Sequence, residues 1–255
     1  MKCDFFEEQT EVSATKTEIV TKYLEAWGSV IALRAGDRFV YFEPFAGPGL
    51  YDNGAKGTPI IVLESAIAHK GLRTKLIPIF GDADAGFCGQ LRANIRAIPG
   101  IRELSHAPVV YLQEVDERLG AHLAETSLVP TLAFLDPCGF KGVSLQLVNS
   151  LVKDWGCDCL FFFNYNQVNR WLTAGNVSEH IDLIFGAERA SRLRVGTSGV
   201  QPEAREILAP IHRSTPWESG SKAKTSGNRS VGPPLNQVSS GMGSPRILAA
   251  STSLR

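Results

Sequence analysis

Cysteine is scarce in this 255-residue chain. Its five residues (Cys3, Cys88, Cys138, Cys157 and Cys159) are odd in number and form no Cys-x-x-Cys pair. That argues against a disulfide framework and suits free thiols in a reducing cytoplasm. Cys157-Asp158-Cys159 is a close pair, but no second pair and no closely spaced histidines accompany it. Buried strand cysteines are therefore expected there rather than a metal clip. The five histidines show no ligand spacing, so neither a metal site nor a Ser-His-Asp triad is expected. No apolar run reaches the roughly eighteen residues of a membrane span. The opening Met1-Lys2-Cys3-Asp4-Phe5-Phe6-Glu7-Glu8 has acids where a signal peptide needs an apolar core. Net charge is missing too, since 26 basic and 26 acidic residues cancel. Residues 1–195 hold 19 basic and 23 acidic side chains, so this part lacks the bulk positive field of a nucleic-acid binder. A local basic groove stays open.

What the chain does have is alternation. Thr15-Lys16-Thr17-Glu18 reads as a capping box, and Ile19, Val20, Tyr23, Leu24, Trp27, Val30 and Ile31 follow at helical spacing. Lys16 and Lys22 on that helix read as a solvated face. Apolar strands are expected at 39–43, 75–80, 109–112, 131–135 and 159–163. Helices are expected between them through Leu91 and Ile95, through Leu119 and Leu123, and through Leu147, Val148 and Leu151. Five strands alternating with helices predict an α/β fold, a doubly wound and mostly parallel sheet of Rossmann-like type. Residues 1–195 form that domain. In residues 214–255, Ser, Gly, Pro, Thr and Asn make up over half of the positions. Residues 196–255 therefore read either as a disordered tail or as a truncated or frame-shifted end, because the expected last strands of the sheet are missing.

The chemistry-bearing residues sit at strand ends. Glu43-Pro44-Phe45-Ala46-Gly47-Pro48-Gly49 follows the first apolar strand directly. Gly47 and Gly49 lack Cβ and would let backbone press against a ligand, with Glu43 and Phe45 completing the turn. The loop 47–57 is long for a strand-to-helix connection, and such loops tend to be functional. Thr58-Pro59 then starts a helix, Thr as N-cap and Pro at the first helical position. Asp82 or Asp84, after the second strand, suits the two hydroxyls of a ribose. Asp116, after the third, accepts from an adenine amine or caps the next helix, and its position favours capping. The third glycine of a dinucleotide fingerprint is replaced by Asp52, whose charge would repel a pyrophosphate. S-adenosylmethionine has no phosphate, so the expected cofactor is this methyl donor rather than NAD.

Asp136-Pro137-Cys138-Gly139-Phe140 is the second element. An exocyclic base amine is a poor nucleophile because its lone pair is delocalised. Asp136 and the Pro137 carbonyl would accept its two hydrogens, and Phe140 would stack the extruded base. Transfer is then mainly positioning. Asn164, Tyr165 and Asn166, with Arg170 and Trp171, would form the substrate rim.

At these residues the chain resembles the three-Cys-motif partner protein (TcmP) family. The likeness runs through Lys16-Thr17-Glu18-Ile19-Val20 with Tyr23-Leu24 and Trp27, and through Phe45-Ala46-Gly47-Pro48-Gly49 with Tyr51, Gly54 and Gly57-Thr58-Pro59. It continues in Phe134-Leu135-Asp136-Pro137 with Gly139-Phe140, and in Phe163-Asn164 with Asn169-Arg170, covering about residues 13–190. The resemblance implies a class I methyltransferase fold and a separate partner protein carrying three cysteines; RNA or DNA as a further partner follows from the base-amine reading of Asp136-Pro137. Asp136-Pro137-Cys138-Gly139 is also similar to the Asp-Pro-Phe-Gly signature of tRNA guanosine N2-methyltransferases, from which Cys138 departs. The functional expectation is methyl transfer to an amine, or a catalytically inactive module that docks the three-cysteine protein.

Overall fold

The protein's structure is a computed structural model that describes residues 6–137 and 142–162, together with 182, 183, 185, 186 and 188–191. Five parallel strands form one sheet: β1 (Phe39–Glu43), β2 (Leu76–Asp82), β3 (Val109–Leu112), β4 (Thr131–Leu135) and β5 (Asp158–Phe161), in the order β3-β2-β1-β4-β5. β1 is buried along its whole length and pairs with β2 on one side and β4 on the other. A strand covered on both faces needs apolar residues at every position, which is why Phe-Val-Tyr-Phe reads as a continuous run.

The side chains of β1 divide between two cores, as the strand period of two requires. Phe39 and Tyr41 join Leu76, Phe80, Leu132 and Phe134 beneath four helices: α1 (Glu11–Arg34), α2 (Thr58–Ala68), α3 (Lys70–Lys75) and α4 (Ala85–Ala97). Val40 and Phe42 join Ile77, Ile79, Ala133 and Leu135 beneath α5 (Glu117–Glu125) and α6 (Leu145–Leu151). Each large apolar side chain sealed this way contributes about 1.5–3 kcal/mol. The doubly wound α/β architecture is thus formed by the two faces of the same strands.

Local corrections have simple causes. α1 starts one turn before the expected capping box, because Thr10 caps it and accepts from the Ser13 amide. Thr15 lies inside the helix and returns its hydroxyl to the Glu11 carbonyl. α2 is capped by Gly57, not Thr58, and the Thr58 hydroxyl instead meets that of Thr17 at 3.0 Å, joining α2 to α1. Of the apolar α1 positions, Val20, Leu24, Trp27 and Ile31 are buried, whereas Ile19 is 56% and Val30 55% exposed. Ile19 and Val20 are neighbours and so lie about 100° apart around the helix; one stripe faces the sheet and the other faces out. Cys157 is buried and Cys159 half-buried at β5, and desolvation pushes their thiols up to about 11 and about 12. Among the described residues, no helix is long and apolar enough to cross a membrane.

Candidate functional site

The strand order reverses between β1 and β4, and open α/β sheets form their ligand crevice at the carboxyl ends of strands on either side of such a reversal. Glu43 is the last residue of β1, and Asp136 follows β4 directly. Both line one cavity of about 310 Å³, within the range of small-molecule sites. Phe6, Phe45, Tyr51, Phe87 and Phe134 supply its aromatic wall, and Glu43, Asp82, Glu114 and Asp136 its acids. Among the described residues, no lysine or arginine belongs to that lining.

The long loop after β1 folds back on itself. Tyr51 N–H donates to the Ala55 carbonyl at 2.9 Å and Gly57 N–H to the Gly49 carbonyl at 2.8 Å, with Leu50 bridged to Lys56. This brings the start of α2, with Thr58 and Pro59, to the cavity. Gly49 has φ +82°, and a Cβ there would stand 2.7 Å from Leu91 Cδ1. Its small size therefore serves packing against α4 as well as the cavity it borders. Gly47 has φ +61°, and the space before it holds the Phe6 ring, whose Cζ would be 2.5 Å from an added Cβ. The glycine turn expected to face a ligand is thus covered at Gly47 by an aromatic side chain from ahead of α1.

The acids differ in their surroundings. Glu43 is buried and accepts from the Tyr41 hydroxyl at 2.9 Å. Burial pushes it well above the usual carboxylate range; the Tyr41 hydrogen bond opposes this and the nearby Asp136 charge adds to it. Tyr41 is likewise driven well up, first by burial and then by Glu43. Asp82 accepts the Gly47 amide on Oδ2 and the Asp84 amide on Oδ1, both at 2.9 Å. Each of its oxygens keeps a free lone pair for a ligand hydroxyl.

Of the expected cofactor contacts Asp84 is corrected, and for Asp116 the favoured capping reading holds. Asp84 caps α4 by accepting from the Phe87 amide, and Asp116 caps α5 by accepting from the Leu119 amide. Neither borders the cavity, because a carboxylate one residue before a helix is drawn to its unpaired amides. Gln113, Glu114 and Val115 border the cavity after β3 instead. The solvated-face reading of Lys16 is also overturned. Its side chain is 13% exposed, it pairs with Asp136, and it lies 4.2 Å from the centroid of the Phe162 ring. Lys22 does face solvent, paired with Glu18.

Sequence reasoning missed Lys16, Phe6 and the Gln113 segment. A signal existed only for Lys16, whose spacing of three and four from Ser13 and Val20 places it beside the buried stripe. Pro137 borders the cavity with Asp136. Cys138, Gly139 and Phe140 lie outside the described residues, as do Phe163, Asn164, Tyr165, Asn166, Asn169, Arg170, Trp171, Cys3 and the segment 196–255. Compared with known proteins, the chain matches no family model and no curated relative.

Proposed function

We propose that this domain binds S-adenosylmethionine and transfers its methyl group to an amine, on a nucleic-acid base, in the manner of the three-Cys-motif partner family that its motifs resemble. The observation that carries the reading is the lining of the cavity: four acids at the switch point of the sheet, of which only Asp136 is paired with a cation, Lys16, among the described residues. Such a lining favours a ligand with a positive sulfur and an ammonium group, and disfavours a pyrophosphate. Asp82 is placed for ribose hydroxyls and the Gln113 segment for the adenine edge. Glu43 faces the cationic end of the donor. The start of α2, the positive end of that helix, suits the donor's carboxylate.

Bound there, the donor supplies an electrophilic methyl group. The chain's part is to hold the acceptor in line. Asp136 and the Pro137 carbonyl accept the amine's hydrogens, and the Lys16 ammonium holds the Asp136 carboxylate. The Asp136 carboxylate also accepts the proton the amine loses. Calorimetric titration of the purified protein with S-adenosylmethionine tests the reading. Heat of binding with a thermal shift supports it, and the absence of both counts against any nucleoside-binding version.

A second reading is a catalytically silent module that docks a three-cysteine partner protein. The exposed apolar stripe of α1, with Val12, Ile19, Val30 and Leu33, favours it, since contiguous apolar surface marks interaction sites. Co-elution with such a partner, lost on Ile19→Ser with Val30→Ser, is its test.

A further inference from the structure

The segment ahead of α1 crosses the glycine turn and is tied down at both ends. The Phe6 carbonyl accepts from the Asp52 amide at 2.9 Å, and Gln9 Nε2 donates to the Lys56 carbonyl at 3.0 Å. The tip of the Phe6 ring, Cζ and Cε1, fills the Cβ-less face of Gly47. Phe87 meets it edge-on at 5.0 Å between centroids, and Tyr51 at 5.9 Å, tilted. Phe6 borders the cavity and Gly47 does not. The one face of the turn where a ligand's chain would meet bare backbone is already filled.

The ties are of a releasable kind. Neither joins a strand: both run to the 49–57 loop, where Asp52, Asn53, Gly54 and Lys56 are exposed, and the Gln9 bond is open to water. Behind the ring, the surface at Gly47 is preformed, because its amide is held by Asp82. Removing Phe6 would therefore leave a shaped, apolar recess beside four acids rather than a collapsed loop.

We propose that Phe6–Thr10 is an autoinhibitory strap: the Phe6 ring occupies the place on Gly47 that the ligand's aliphatic chain takes, and ligand entry displaces it. The proposal rests on reading the cavity as a donor site, and it adds that the site is closed at rest. A ligand that binds only the open form has its apparent affinity lowered by the fraction of open molecules. Strap and ligand are then competitors for one surface.

The full-length protein is compared with Phe6→Ala and with Gln9→Ala, which removes only the outer tie. Two probes are used: S-adenosylmethionine by calorimetry, and the apolar aromatic dye 1-anilinonaphthalene-8-sulfonate by fluorescence. Phe6→Ala is expected to tighten donor binding about tenfold and to raise dye binding at an unchanged melting cooperativity. Gln9→Ala should shift both in the same direction by less. In the wild-type protein, saturating donor should speed hydrogen exchange at the Asp52 amide as the Phe6 carbonyl leaves it. Weaker or unchanged donor binding in Phe6→Ala overturns the strap and makes Phe6 part of the wall while sparing the donor reading. Dye binding that rises in Phe6→Ala while neither form takes the donor sinks the donor reading and keeps the strap. Dye binding that does not rise overturns the strap whatever the donor does.

Discussion

The Lys16 ammonium pairs with the Asp136 carboxylate while resting on the face of the Phe162 ring, so one cation ties α1 to the ends of β4 and β5. A cation held over an aromatic face and against an acid is partly desolvated on every side, and the pair is stronger than a surface ion pair. Lys16→Met should cost about 1–3 kcal/mol in urea unfolding, and Asp136→Asn a similar amount. The double variant should lose less than their sum, by about 1 kcal/mol or more. Strict additivity would mean that the two side chains do not interact in solution.

Asp82, Asp84 and Asp116 separate by role. Asp84→Ala and Asp116→Ala each remove a helix cap and should cost about 1 kcal/mol with ligand affinity unchanged. Asp82→Ala should weaken nucleoside binding about tenfold or more, because it removes a cavity acceptor and frees the Gly47 amide it anchors. Calorimetry and thermal melts on the three variants check this. Equal affinity loss in all three would return Asp84 and Asp116 to the site.

The sheet was legible because its signal is local. Phe39-to-Glu43, Val109-to-Leu112 and Thr131-to-Leu135 are apolar apart from Thr131 and the closing Glu43, and each forms a strand at those limits. The acids at the ends of β1 and β4 were legible for the same reason, since each directly ends or follows its apolar strand. Lys16 and Phe6 were not, because their roles depend on where α1 and the segment before it cross the sheet edge. A lysine 120 residues from its partner carries no mark of that partner in its neighbours. Asp84 went astray for a different reason: Asp before a helix and Asp facing a ligand have the same local sequence, and only the distance to the cavity tells them apart.

The outer stripe of α1 should be energetically idle in the isolated chain. Ile19 and Val30 are more than half exposed, so Ile19→Ser and Val30→Ser should change stability by no more than about 0.5 kcal/mol. Leu24, on the opposite stripe, is fully buried, and Leu24→Ala should cost about 2–5 kcal/mol. Chemical denaturation distinguishes the two. A large loss from Ile19→Ser would show that this face is covered in the free protein.

Glu43 should link both stability and ligand binding to pH. Its proton is held in the folded chain well above the ordinary carboxylate range, chiefly by burial, whereas the unfolded chain releases it near the usual value. Between those two points the folded form binds more protons than the unfolded form, so stability falls as pH rises. The slope is about 1.4 kcal/mol per pH unit. Glu43→Gln cannot lose that proton and should flatten the decline, the gap from wild type widening with pH above the carboxylate range. A cationic donor beside Glu43 favours the ionised form and should expel up to about one proton on binding. Calorimetric heats measured in phosphate and in Tris should then differ for the wild type and agree for Glu43→Gln, and wild-type affinity should rise with pH until Glu43 ionises unaided. Heats that agree in both buffers for the wild type would mean that Glu43 stays neutral in the complex. The cationic end of the ligand would then have to lie against Asp82, Glu114 or Asp136 instead.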